Sequence, residues 1–270
     1  MIGRRLRAGL CLVVIGSAGL RAGPIEAAIV AAMKLPDAPN YAWTTEVVDD
    51  ARTYSITGQT ERPGDFSRVT MPMISALRRH AGLGAGNSDN QVTAIFRGDH
   101  NLVIEVDGTW KTPAELSSTS QAAPRGQAPA SPGRGRRRSN ETATLPPYSN
   151  LQLTLSRPHD EIAIIVANAR DWTAESDGVS GSLTDLGAKL LLVHSGQKEI
   201  TPLRAGGTFR LWLKEATLVR YHVRLTGALA VKAGLDRREI EVNQEATTKL
   251  NGVGTTRVEV PEEAKRKLVP

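Results

Sequence analysis

Cysteine is all but absent: Cys11 is the only one among 270 residues, and it sits inside an apolar block near the N-terminus. A folded body without cysteine can have neither a disulfide framework nor thiol chemistry. Aromatic residues are scarce at 4%, so the core must be built from aliphatic side chains. The five histidines, His80, His100, His159, His194 and His222, include no pair at metal-ligand spacing. His159-Asp160-Glu161 carries ligand-type side chains, but consecutive positions on a helix point in different directions, so the triplet reads as helix-start electrostatics. Gly82–Gly86 has no flanking strand and helix to make it a phosphate loop. The spacing around Ser180 is wrong for a nucleophile elbow. No catalytic residue, metal site or cofactor is expected, and the chain reads as a non-enzyme.

Basic charge is also less abundant than the formal +6 implies. Arg4, Arg5, Arg7 and Arg21 carry four of those charges and Ser117–Pro147 another four, which leaves the remaining body at −2. A nucleic-acid-binding face is not expected on the folded part.

MIGRRLR followed by the apolar Ala8–Leu20, about 13 residues, has the charged n-region and short h-region of an export signal. It is too short to span a bilayer comfortably. Residues 1–23 are read as a signal peptide, and the protein as periplasmic or otherwise exported. Cys11 lies within the h-region rather than after a lipobox, so lipidation is not expected.

The stretch Gly206–Thr248 is the organising one. Val219, Tyr221, Val223, Leu225, Gly227, Leu229 and Val231 alternate with Arg220, His222, Arg224, Thr226 and Lys232, the period of a strand with one buried face. A return strand carries Ile240, Val242, Gln244 and Ala246 inward. A turn at Ala233–Asp236 sets Leu225 beside Gln244, Leu229 beside Ile240 and Arg224 opposite Glu245, a charge pairing that supports the register. Strands this long must curve, and Gly227 is the predicted bend. Upstream, a helix is predicted over Pro24–Leu35, strands over Tyr41–Val48, Arg52–Glu61 and Phe66–Met71, and a short helix over Met71–Ala81. A hairpin follows, ending near Trp110. Ser117–Pro147, rich in Ser, Pro, Gly and Arg, has no apolar periodicity and is expected to be a disordered insertion. After a short strand at Leu151–Leu155, a helix capped by Ser156 carries the apolar Ile162–Ala167. A second helix, Asp185–Val193, is capped by Ser182 or Thr184, and Pro261–Leu268 closes the chain as a polar helix.

The predicted class is α+β: a long, strongly curved antiparallel sheet, an open half-barrel, with apolar helices on its concave face, in one domain over residues 24–270. GSLTDLGAKLLL, RLWLKEATLVRYHVRLTG and VGTTRVEVPEEAKRKL, in this order behind a leading helix, resemble the LolA/LppX-like superfamily of periplasmic lipoprotein and lipid carriers. The arginine-rich insertion is an addition to that pattern. The resemblance implies a monomeric, non-enzymatic carrier or sensor for lipid or lipoprotein acyl chains. Its apolar site would be Ile162, Ile165, Val166, Leu186, Leu190, Tyr221, Val223 and Leu225. The other reading is a structural or interaction module with an envelope protein partner, whose concavity is filled by its own side chains.

Overall fold

The computed structural model describes residues 23–49, 52–72, 91–98, 101–116, 157–193, 200–233 and 236–268. The predicted signal segment, the Ser117–Pro147 insertion, the strand at Leu151–Leu155, Ser156 and all of the 71–81 helix beyond Pro72 lie outside them. Met71 and Pro72 belong to a strand rather than to that helix, because Met71 continues the inward alternation of Ser67 and Val69.

One helix, α1 (Pro24–Met33), precedes six strands: β1 (Asn40–Asp49), β2 (Arg52–Glu61), β3 (Phe66–Pro72), β4 (Gln91–Arg97), β5 (Asn101–Val106) and β6 (Thr109–Lys111). Then come α2 (Pro158–Asn168), β7 (Ala169–Glu175), β8 (Gly178–Leu183), α3 (Asp185–Leu192), β9 (Ile200–Lys214), β10 (Thr217–Ala233), β11 (Asp236–Asn251) and α4 (Glu262–Lys267). All eleven strands form one antiparallel sheet, in the order β6-β5-β4-β3-β2-β1-β11-β10-β9-β8-β7. It is not closed into a barrel. The protein is α+β, as its alternation predicts. Two meanders, β1–β6 and β7–β11, meet at the β1–β11 pair, which runs from Ala42↔Asn251 to Asp49↔Gln244.

The β10–β11 register is the predicted one. Leu225 pairs with Gln244, Leu229 with Ile240 and Arg224 with Glu245, whose carboxylate lies 3.4 Å from the guanidinium. One inward assignment changes. The β9–β10 register shifts between Leu218 and Arg220, so Leu218 takes the buried position and Val219 only a half-buried one. A second shift follows Ala228, next to Gly227, where a Cβ would come within 2.4 Å of the Arg204 carbonyl oxygen. The bend expected there is therefore also a place where two backbones touch. At the hairpin end of β11, Ile240 keeps its place opposite Leu229 on the inner face but is left 41% exposed.

Helices α1, α2 and α3 sit on one face of the sheet, called inner here. α1 packs on α2 and on β7–β10, and α3 packs on α2 and β9. They join Trp43, Ile56, Val69, Val179, Phe209, Leu211, Tyr221 and Val223 in one apolar cluster. α4 covers a smaller cluster on the opposite face, where Ala264 and Leu268 bury Ile95, Val103 and Trp110.

Candidate functional site: an apolar cavity beside a buried polar network

α2 starts with Pro158 at its first position, where a missing N–H costs nothing, and with Asp160 and Glu161 in its first turn. Its N-cap is Arg157, which bonds Asp160 at 2.8 Å. Ser156, the predicted cap, precedes it. The helix buries Pro158, His159, Ile162 and Ile165. α3 is capped by Thr184, whose hydroxyl oxygen accepts from the Gly187 N–H at 3.1 Å. Asp185 ties the helix down twice. It pairs with Lys189 at 2.7 Å and accepts from the Ala205 N–H of β9 at 3.2 Å. Those contacts, Lys189 foremost, hold its carboxyl below the usual range. Gly187 faces Asn168 of α2 so closely that a Cβ would sit 2.3 Å from it.

That seating fixes which leucines point inward. Ala188, Leu191 and Leu192 are buried, whereas Leu186 is 61% and Leu190 41% exposed. The predicted apolar stripe of α3 is thus turned to solvent at Leu186 and Leu190. Ile162 and Ile165 are fully buried core, and Val166 packs at its margin. Val223 and Leu225 do line an opening. With Leu191, Leu192, Leu229, Val242 and Ala246 they wall a cavity of about 160 Å³, and Glu161 and Gln244 bring polar groups to it.

Tyr221 adjoins this cavity through its hydroxyl, which donates to Glu161 at 2.5 Å. In the cross-strand row of Tyr221, Thr248 and Thr45, the two threonine hydroxyls are 2.7 Å apart. Burial, with the Glu161 carboxylate beside it, pushes the Tyr221 phenol well above its ordinary pKa. A second buried contact is made two residues earlier on α2. The Tyr41 hydroxyl accepts from the His159 backbone N–H at 3.3 Å and hydrogen-bonds its Nδ1. Burial raises the Tyr41 pKa and lowers that of His159. Both shifts favour the uncharged form of each ring, as burial requires. The triplet His159-Asp160-Glu161 does splay in three directions, as helical geometry requires. Two of its members reach a buried tyrosine, a role the sequence reading missed. Tyr41 and Tyr221 are each the only buried phenol on an alternating strand, and that was the available signal.

Among the described residues no group of three or more His, Cys, Asp and Glu side chains is placed to hold a metal ion. No helix among them is long and apolar enough to cross a membrane. Two wider, open depressions lie elsewhere, one of about 480 Å³ by Glu61, Phe66 and Lys265, the other on the outer face of β1–β3.

No family model matches the chain, and no curated protein does. Among solved structures it is similar to a DUF1329 family protein from Desulfovibrio piger, at 9% identity and a TM-score of 0.31, over 88% of this chain and 95% of that one. A likeness at that score carries no argument about function.

Proposed function

We propose that this is an exported, non-enzymatic carrier or sensor that takes an apolar group, such as the end of an acyl chain, between α3 and strands β10 and β11. The observation that carries the reading is the cavity of about 160 Å³ with seven aliphatic side chains around it. A dry aliphatic cavity of roughly 150 Å³ holds a benzene ring. The volume therefore suits a ring or the last few carbons of a chain, with Glu161 and Gln244 beside the more polar part of the ligand. The resemblance of the element order to LolA/LppX-type carriers supports the same direction. The protein acts as a monomer in this reading.

The second reading, an envelope interaction module with a self-filled core, is favoured by the complete burial of Ile162 and Ile165. A fluorescent fatty-acid probe separates the two. The carrier reading expects micromolar binding, about −8 kcal/mol. It also expects at least a tenfold loss in Ala246→Leu, which fills the cavity without removing any core contact. The added methylenes have the void to enter, so that variant should stay folded and melt within a few degrees of the wild type. No probe binding by the wild type would leave the interaction module standing.

A further inference from the structure

The outer face of the sheet carries a depression of different chemistry, and the register explains it. On β1, Ala42 points outward between Asn251 of β11 and Gln59 of β2, and Gln59 in turn pairs with Arg68 of β3. One row along, Thr44, Thr57 and Thr70 stand side by side on the same three strands β1, β2 and β3. The short side chain at Ala42 leaves a cleft of about 350 Å³ between these rows, at the lower end of the ~300–1,000 Å³ of ligand clefts. Its lining carries one formal charge, that of Arg68, and no carboxylate.

A threonine-rich wet face is what strand propensity alone produces. Propensity does not account for Arg68. Other outward arginines of this sheet have partners: Arg204 pairs with Glu239 and Glu241, Arg210 with Glu175 and Asp177, and Arg224 with Glu245, while Arg220 lies over the Trp212 ring and Arg97 donates to the Leu268 carbonyl. Arg68 is half-buried, and among the described residues no carboxylate pairs with it.

We propose that this cleft binds a singly charged, polyhydroxylated carboxylate, a sugar acid of the uronate type. A guanidinium forks onto a planar carboxylate through two parallel hydrogen bonds. Hydroxyls and carboxamides both donate and accept, so Thr44, Thr57, Gln59 and Asn251 match the hydroxyls of a sugar ring. One cation balances one carboxylate, whereas a phosphate dianion would call for a second cation in the lining. The cleft lies on the opposite face from the apolar cavity, so this inference stands independently of the carrier reading.

Calorimetric titration of the intact protein with D-glucuronate and with D-galacturonate tests it. Saturable binding is expected for both. It should weaken at least tenfold in Arg68→Gln and in Ala42→Leu, which fills the floor without changing charge. Neutral maltotriose should not bind. If Ala42→Leu proves unfolded by circular dichroism, Arg68→Gln, which changes no apolar contact of the core, carries the test. Equal binding by wild type and Arg68→Gln would overturn the proposal. So would inorganic phosphate or acetate binding as tightly as glucuronate, because the ring hydroxyls would then contribute nothing.

Discussion

His159 is a residue whose ionisation is tied to the fold. The residue is 8% exposed, its ring meets the Tyr41 hydroxyl, and desolvation lowers its pKa from the ordinary value. Asp160 and Asp65 pull the other way, while Arg157 and Arg62 add to the lowering. A histidine whose folded pKa is depressed binds its proton more readily when unfolded. The stability it contributes is present above the unfolded pKa, about 6.5, and is lost as pH falls. Thermal melts between pH 8 and 5 should therefore show a falling midpoint that flattens in His159→Asn, which keeps an acceptor for Tyr41 but cannot be protonated. An identical pH slope in that variant would mean that other groups carry the effect. Little of this was legible in sequence, because Tyr41 lies 118 positions away. Gly58 was equally silent. The indole of Trp43 lies where its Cβ would be, 2.2 Å from the nearest ring atoms, and only the β1–β2 pairing reveals it.

At the scale of elements, the β10–β11 hairpin could be read in advance down to single pairs. Its alternation is unbroken, its turn is short, and Arg224 and Glu245 can face each other in only one register. Both partners are local, which is the information a sequence displays. The bulge at Val219 was not visible, because it arises from how β9 pairs with β10 rather than from β10 itself. The rotation of α3 was hidden for the same reason. Leu186, Leu190, Leu191 and Leu192 are chemically alike, and the choice among them is made by Asp185 bonding to β9. A matched pair of variants tests the faces of β10. Val223→Asp buries an unpaired charge and should cost about 3 kcal/mol or more in urea denaturation. Arg224→Asp, on the wet face, loses an exposed ion pair worth about 1 kcal/mol at most. Equal losses would mean that the two faces are assigned wrongly.

For the molecule as a whole, the chain begins in the middle of its sheet, runs out to one edge at β6, crosses to the other edge at β7, and returns to the middle. The covalent link between the halves lies over residues 112–157. Their physical link is mostly elsewhere: eight residue pairs between β1 and β11, α1 seated on α2 and on β7–β10, and α4 covering Ile95, Val103 and Trp110 of β4–β6. The connection adds to that contact only at its ends, where Glu115 pairs with Lys267 and Arg157 with Asp65, so the protein is assembled like a complex of two subunits that happen to share one chain. Fragments 23–116 and 157–270, produced together, should associate into a native-like whole that melts in one transition, and neither should fold alone, since each lacks the partner for its innermost strand. Their affinity would fall as the two are diluted, giving the fold a concentration dependence that the intact chain, by its tether, never shows.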